Sequence, residues 1–321
     1  MSAAGPLVSV VTPVYNGEQY LAECIESVLG QTYDRLEHLI VDNCSTDATL
    51  EIARRYQATE SRIRVLAPPE FVSGDANANR ALRKIMPDSR YVKIVHADDS
   101  IHPECIAKMT ALAEGHPSVG VVASYRRLGD KVVPKRVPES PVVSGHHVGR
   151  SMLLGTPYDY LFGSPTTLLL RADLVRARPE FYNVANPFDA DVEACLDLLR
   201  ACDFGFVHED LTFTRRHEGA ASSFFFRNQA QLPAAIQRVL KFGPFYLEHD
   251  EYQRKLAVVV AEYVRFMAMH PAKLRSAEFR EFHRVEIVRL APQIRVPDLV
   301  RGAARQVLVS GRRFGRALPA A

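Results

Sequence analysis

The sequence predicts an α/β protein, a doubly wound and mostly parallel open sheet with helices on both faces, followed by a helical extension. Three observations predict it. The first 124 residues alternate strand-like and helix-like segments, and the opening strand is an apolar run rich in β-branched residues. Beyond residue 223 the pattern turns almost purely helical. Strand–helix alternation of this kind builds parallel sheets covered on both faces.

The elements follow in order. Residues 7–14 read as a strand buried on both faces. Residues 18–29 place Tyr20, Leu21, Cys24, Ile25, Val28 and Leu29 on one helical stripe. A second strand at 38–41 ends in Asp42-Asn43-Cys44-Ser45, and a helix over 46–56 can be capped by Ser45 or Asp47. A strand at 62–66, a helix at 75–86 and a strand at 91–96 continue the alternation. Pro103 suits the first turn of the next helix, which ends near His116-Pro117, and 119–124 is a fifth strand. From 125 to about 160, Pro134, Pro138, Pro141 and Pro157 mark loops. Strands are predicted at 166–170, 204–207 and 211–213, with a helix at 189–202 between them. Helices are expected at 229–241, 249–269, 276–290 and 297–310. The expected domains are 1–223, with halves at 1–124 and 125–223, and a basic helical extension over 224–321.

Length and composition agree. At 321 residues and 35.9 kDa the chain holds roughly two domains of about 150 residues. Apolar residues at 47% and charged residues at 24% are near the globular average, which excludes disorder and a collagen-like chain. No apolar run approaches the length of a membrane span; 257–261 is among the longest. The N-terminus lacks a basic-then-apolar leader, so a cytoplasmic protein is expected. Cys24, Cys44, Cys105, Cys195 and Cys202 are odd in number and without C-x-x-C spacing, as in reduced thiols. The net charge of +3 conceals an asymmetry. Residues 251–321 carry 14 Lys and Arg against 6 Asp and Glu, while the first 250 carry 26 against 31. That surplus is either a solvated helical face or an attraction to an anionic membrane surface.

Several chemistries are excluded by their absent motifs. The first strand runs into Thr12-Pro13-Val14-Tyr15-Asn16-Gly17, not the G-x-G-x-x-G of a dinucleotide site. No G-x-x-x-x-G-K-[ST] loop, G-x-S-x-G elbow or H-E-x-x-H helix occurs. Asn43-Cys44-Ser45 matches a glycosylation sequon by chance.

Three polar clusters fall at strand ends, where open sheets of this kind bind ligands. Pro13-Val14-Tyr15-Asn16 follows the first strand and Asp42-Asn43 the second. Tyr15 offers an aromatic face to a base, and Asn43 or Asp42 an acceptor for a base N–H; turn and cap chemistry explains the same residues. The third is His96-Ala97-Asp98-Asp99 after the fourth strand. Adjacent carboxylates repel unless a cation or solvent relieves them. Carboxylate and phosphate oxygens together suit Mg²⁺ or Mn²⁺. The bland alternative is that Asp99 caps the following helix and Asp98 is solvated.

Taken together, these segments carry a resemblance. Val8-Ser9-Val10-Val11-Thr12-Pro13-Val14-Tyr15-Asn16-Gly17-Glu18, Glu26-Ser27-Val28-Leu29-Gly30-Gln31-Thr32-Tyr33 and Val41-Asp42-Asn43-Cys44-Ser45-Thr46-Asp47 resemble the opening of the family 2 glycosyltransferases. Ala78-Asn79-Arg80-Ala81-Leu82 and Asp98-Asp99 continue it in order. The resemblance implies a GT-A type fold, a nucleotide-diphosphate-sugar donor with a UDP-sugar favoured, a Mn²⁺ or Mg²⁺ cofactor, and inversion at the anomeric carbon. It places Pro13 and Tyr15 beside the base, with Asp42 in the same nucleotide site and Asn43 accepting from the base where relatives carry Asp. Asn79 and Arg80 line the nucleotide pocket. Asp98 matches the second Asp of the family's Asp-x-Asp motif and meets metal and diphosphate. His96 replaces the first Asp; its imidazole can hydrogen-bond there or ligate Mn²⁺.

The acceptor half is read from the same resemblance. An inverting transfer needs a base for the acceptor hydroxyl. Asp191, in Phe188-Asp189-Ala190-Asp191-Val192-Glu193, takes that role by position, with Asp189 second and suited to cap the helix. Thr214-Arg215-Arg216-His217 resembles the family's Tyr-Arg-x-His segment, so His217 is expected at the diphosphate or metal and Arg215 on phosphate oxygens. Gly163-Ser164-Pro165-Thr166 falls where relatives shape the donor-sugar and acceptor pocket. The expected partners are the nucleotide sugar and a glycan or lipid-linked acceptor of cell-surface polysaccharide synthesis, with no nucleic acid. The helices after His249 would contact the inner face of the membrane or a second copy of the chain. The rivals are a nucleotide-sugar-binding protein without turnover, which His96 favours, and a sugar nucleotidyltransferase, which the missing Gly-rich loop disfavours.

Overall fold

The computed structural model describes residues 5–156, 158, 161–187, 189–215 and 222–294. Two compact units divide the chain, Met1–His217 and Glu218–Ala321. The first is built from β1 (Val8–Val14), α1 (Leu21–Leu29), β2 (Leu36–Asp42), α2 (Thr49–Thr59), β3 (Ile63–Leu66), α3 (Gly74–Leu82), β4 (Tyr91–Ile94), β5 (Ser100–Ile101) and α4 (Cys105–Gly115). It continues with β6 (Val119–Leu128), β7 (Lys131–Val133), β8 (Val142–Val143), α5 (Gly145–Leu154), β9 (Leu169–Arg171), α6 (Ala172–Arg176), α7 (Ala190–Leu198) and β10 (Asp203–Thr214). The second unit contains α8 (Ser222–Arg227), α9 (Gln231–Tyr246), α10 (His249–Met269) and α11 (Ala277–Leu290).

The strands form one sheet in the order β3-β2-β1-β4-β9-β6-β10-β5, with β7 beside β6 and β8 beside β10. β3, β2, β1 and β4 are mutually parallel, and β10 is parallel to β6. β9 is antiparallel to both neighbours, β4 and β6. The first strand is buried almost throughout, as its apolar run requires, with Val8, Val10 and Val11 fully enclosed. On α1, Leu21, Cys24, Ile25 and Val28 face inward, which is the stripe read from the sequence. Val8, Val10, Cys24 and Val28 join Met109, Val119 and Val122 in one core; Leu21, Ile25, Ile40 and Ala53 pack in a second.

One buried carboxylate within this sheet is paired on both oxygens. Glu37 on β2 accepts from Ser9 Oγ, from Met86 N–H at 2.6 Å and from Arg64 Nη1 at 2.6 Å. A carboxylate taken from water needs such a complete set of donors. All five cysteines are free thiols.

The sequence reading differs from the structure in three places. The strands expected at 204–207 and 211–213 are one strand, β10, whose register against β6 shifts between Val207 and Asp210 and again before Thr212. Those irregularities leave His208 and Glu209 exposed mid-strand, which reads as a break. The segment expected as a strand over 166–170 begins as a 3₁₀ turn, Pro165–Thr167, because Pro165 starts it and Thr167 boxes its cap. The proline-marked stretch after 125 contains α5, and β6 itself extends to Leu128. The helix expected at 297–310 lies outside the described residues.

In the second unit, α9 buries Ile236, Val239, Phe242 and Tyr246 on one stripe. α10 starts with a Glu248–Glu251 capping box and α11 with Ser276, whose hydroxyl accepts from Phe279 N–H. Its interior includes a polar knot. Tyr263 Oη donates to His283 Nδ1 at 2.7 Å, and His283 Nε2 donates to the Asn228 carbonyl at 2.9 Å. Both ring nitrogens are thus used by the neutral imidazole, consistent with burial holding its pKa below the usual value.

Candidate functional site

Topology decides which residues meet. β1, β2 and β4 run parallel and therefore end at one edge of the sheet. β9 runs the other way between β4 and β6, so the segment leading into it starts at that same edge. β10 runs with β6 and delivers Arg215 there. Residues far apart in sequence are thereby gathered along the carboxyl ends of the parallel strands, the edge at which such sheets bind ligands.

The loops after β1 and β2 brace one another. Asn16 N–H donates to Ser45 Oγ at 2.9 Å, and Asn16 Oδ1 accepts from Thr46 N–H at 2.8 Å. Gly17 N–H donates to Thr49 Oγ1 at 2.7 Å, and Glu18 accepts from Ala48 N–H at 2.9 Å. Asn16 adopts a left-handed φ of 49°, which Asn tolerates better than most residues. The side chains of Asn16, Ser45, Asp47 and Thr49 thus act on the backbone.

Pro13, next to last in β1, is half-buried, and Tyr15 just beyond the strand is 49% exposed. The Tyr15 ring meets Phe71 edge-on at 4.9 Å, and Phe71 is also exposed. Two open aromatic rings at a sheet edge are a stacking surface for a planar ligand. The neighbouring carboxamide and carboxylate divide their tasks. Asn43 donates from Nδ2 to the Val72 carbonyl at 2.7 Å and accepts from Val72 N–H at 3.1 Å, so its amide holds the loop carrying Phe71. Asp42 accepts from Ser45 N–H through Oδ2 at 3.1 Å, while its Oδ1 is buried without a hydrogen-bond partner among the described residues. Both ends of the Asn43 amide are thus engaged, while Asp42 keeps one carboxylate oxygen without a partner among the described residues. Arg80 donates to the Glu70 carbonyl at 3.2 Å and steadies the same loop.

The turn after β4 is held from several sides. Asp99 N–H donates to the His96 carbonyl at 3.0 Å and closes it. Thr166 Oγ1 accepts from His96 N–H at 3.1 Å and donates to Asp99 Oδ2 at 2.6 Å. Asp99 Oδ1 accepts from Arg215 N–H at 3.1 Å, and Arg215 Nε donates to the Asp98 carbonyl at 3.2 Å. Burial raises the Asp99 carboxyl above its ordinary range. Arg215, expected on phosphate, also binds within the protein. Its guanidinium donates to both oxygens of Glu23 at 2.7 Å and lies 4.6 Å from the Tyr20 ring centre.

Asp191 stands in the first turn of α7, where the exposed N–H groups favour a negative charge. Asp189 occupies the cap position but makes no side-chain cap bond. Glu193 is buried and accepts from Asn186 at 2.5 Å and Asn183 at 3.3 Å, fixing the approach to α7. The charge of Asp191 reaches Asp75, in the first turn of α3. Its carboxyl is pushed up to about 6, chiefly by burial and further by the charge of Asp191, with His96 acting in the opposite direction. Asn79, expected in the nucleotide pocket, is buried and engaged. Its Oδ1 accepts from Phe181 N–H at 3.1 Å and Tyr182 N–H at 2.8 Å, and its Nδ2 donates to the Tyr182 carbonyl at 2.8 Å. His217 lies outside the described residues.

A divalent cation has one place to sit among the described residues. Ligand atoms of His96, Asp98 and Asp99 lie within 4.8 Å of one another. Asp99 is committed to Thr166 and Arg215, so His96 and Asp98 form the donor pair. One imidazole and one carboxylate, completed by phosphate oxygens and water, suit Mn²⁺. Phe71, Asp75 and Thr166 complete the edge. Phe71 and Asp75 have recognisable signals, an aromatic in a strand-end loop and an acid opening a helix, but nothing local in the sequence assigns them a partner.

Comparison with known proteins gives this edge its context. A family model described as Glycosyl transferase family 2 matches residues 9–177, just over half of the chain. An uncharacterized glycosyltransferase of Haemophilus influenzae is 24% identical over 73% of this chain and 72% of its own length. The putative glycosyltransferase EpsE of Bacillus subtilis is 31% identical over 56% of this chain, which spans 62% of that relative. The putative teichuronic acid biosynthesis glycosyltransferase TuaG of Bacillus subtilis is 39% identical, but over only 29% of this chain and 36% of its own. Among solved structures, S. aureus TarS 1–349 in complex with UDP-GlcNAc matches 81% of this chain and 73% of its own, with a TM-score of 0.60 and 20% identity. The mannosyltransferase PcManGT from Pyrobaculum calidifontis, in complex with GDP-Man and Mn²⁺, matches 94% and 87% with a TM-score of 0.55 and 17% identity. These likenesses bear out the GT-A type fold.

Proposed function

The chain belongs to glycosyl transferase family 2, and on that premise we propose that it transfers one sugar, with inversion, from a nucleotide-diphosphate sugar to a glycan or lipid-linked acceptor of a cell-surface polysaccharide. One observation carries the reading. Tyr15 and Asp42 stand at the ends of β1 and β2, Phe71 from the loop after β3 meets Tyr15, the His96–Asp98 turn stands at the end of β4, and the charges of Asp191 and His96 both act on Asp75. The UDP-GlcNAc in TarS and the teichuronic acid in the name of TuaG support a UDP-sugar and a surface polymer.

In this reading the base stacks against Tyr15 and Phe71, and Asp42 Oδ1 accepts its N–H. His96 and Asp98 would hold Mn²⁺ or Mg²⁺, which when bound offsets the charge gathering on the diphosphate. Asp191 takes the proton of the acceptor hydroxyl as that oxygen bonds to the anomeric carbon and the bond to the diphosphate breaks. Thr166 and Arg215 keep the turn rigid, and Glu193 and Asn79 keep the approach to Asp191 in place. The basic surplus of 251–321 supports a contact with an anionic leaflet. No helix among the described residues is long and apolar enough to cross a membrane.

Calorimetric titration of UDP, GDP and dTDP, each with and without Mn²⁺, tests the reading. Wild type should bind one of them with metal dependence, and Asp98→Ala should lose at least tenfold. Asp191→Asn should bind like wild type but lose about 10²–10⁴-fold in turnover, the usual worth of a general base. Absence of binding under every condition overturns the donor assignment. Binding without turnover in the wild type favours the binding-protein reading.

A further inference from the structure

The first and last residues of the His96–Asp99 turn share one hydrogen-bonding group, and it comes from another part of the chain. Thr166 Oγ1 receives the His96 N–H at 3.1 Å and gives its own proton to Asp99 Oδ2 at 2.6 Å. The direction is fixed by chemistry, because a backbone N–H only donates and an ionised carboxylate only accepts. A single hydroxyl therefore spans the turn that presents Asp98. Thr166 is fully buried, so water has no access to replace it.

Its own position is set from beneath. Lys93 on β4 is fully buried, and its Nζ donates to the Thr166 carbonyl at 2.7 Å and the Leu168 carbonyl at 3.3 Å. Burial of the ammonium pulls its pKa down, with Cys105 and Asp99 acting in the opposite direction. Such an expensive group at the root of the turn ties β4 to the segment entering β9. That segment also carries Ser164, whose hydroxyl is 3.4 Å from Thr214 Oγ1.

We propose that Thr166 is a positioning residue for the metal–diphosphate site, its hydroxyl setting the spacing of His96 and Asp98. The proposal rests on the nucleotide-sugar reading above. Hydrogen-bonding partners behind metal ligands commonly control metal affinity by about 10–100-fold.

The test uses the full chain and Mn²⁺ as probe, with free ion followed by electron paramagnetic resonance in the presence of UDP and of GDP. Wild type, Thr166→Val, Thr166→Ser and Asp98→Ala are compared, and nucleotide binding is measured separately in EDTA. Thr166→Val should weaken Mn²⁺ binding at least tenfold while leaving metal-free nucleotide binding within about twofold, and Thr166→Ser should restore the metal. A purely structural role would lower both together. If Thr166→Val does not fold, Thr166→Cys, which has no γ-methyl and only a weak donor in place of the hydroxyl, replaces it and should show the same selective loss. Wild-type Mn²⁺ affinity in the Val or Cys variant, alongside loss in Asp98→Ala, overturns the Thr166 proposal alone. Equal Mn²⁺ behaviour of wild type and Asp98→Ala overturns the functional reading and this proposal with it.

Discussion

Asn79 is the residue at which the family resemblance and the structure make different predictions, and its replacement by alanine separates them. The resemblance sets Asn79 against the nucleotide. The structure instead gives all three of its hydrogen bonds to one dipeptide, Phe181-Tyr182. Removing the amide orphans two buried N–H groups and one carbonyl. Each orphan costs about 1–3 kcal/mol, and water entering the vacated space recovers part, so about 3–5 kcal/mol of destabilisation is expected. For a unit of this size each kcal/mol lowers Tm by about 2–4 °C, giving roughly 6–20 °C in all. Asn79→Asp keeps the oxygen that takes both N–H groups but sets a buried carboxylate oxygen against the Tyr182 carbonyl, so it should be no milder than alanine. Thermal melts and urea midpoints read the stability, and calorimetry below the transition reads nucleotide affinity, which should stay within about threefold of wild type. A stability change under about 1 kcal/mol combined with a tenfold loss of nucleotide affinity would refute the backbone role and return Asn79 to the ligand.

Two further predictions concern the scaffold. His38 is fully buried, bonded to Thr12 Oγ1 at 2.9 Å through Nε2, with Nδ1 unpartnered among the described residues. Burial pulls its pKa down to about 3. The unfolded chain takes up a proton below about pH 6.5 that the native state refuses, so stability is lost as pH falls from there towards 3. Between pH 7 and 5 this single group accounts for about 2 kcal/mol. Urea midpoints of His38→Gln should show a pH dependence flatter by that amount, and an unchanged slope contradicts the assignment. Gly145→Ala would put its Cβ 2.0 Å from the Cys202 carbonyl oxygen and 2.4 Å from that of Leu199. Neither is a movable side chain, so about 3 kcal/mol is expected, at the top of the usual overpacking range. A wild-type melting temperature in this variant would show that α5 can shift freely.

Much of the edge was legible as chemistry before it was legible as geometry. Tyr15, Asp42, His96 and Asp98 stand out because aromatic and ionisable groups at strand ends have few structural uses there. Asn43 is singled out as an acceptor at a strand end and Asn79 and Arg215 by the family resemblance, and all three hold parts of the protein in place. An amide serves a ligand or a neighbouring backbone equally well, and only the location of Val72 or Tyr182 tells which. Arg215 could meet phosphate until Glu23 and Tyr20 are found beside it. β10 was read as two strands because its exposed His208 and Glu209 interrupt the apolar run, and pairing with β6 carries it through the interruption.

Local pattern determined the elements, since burial on both faces, helical stripes and capping residues are properties of a few neighbouring positions. It also determined the family, because the ordered strand-end motifs lie within one continuous stretch. Tertiary structure alone decided which polar groups are used up and which remain. β9 enters the sheet antiparallel, and that inversion brings Thr166 to the turn holding Asp98 across a separation of 68 residues. Hydrogen bonds saturate, so the partner that arrives first in space settles what a side chain can still do. That arrival depends on the direction of a strand, which the residues of the turn do not encode.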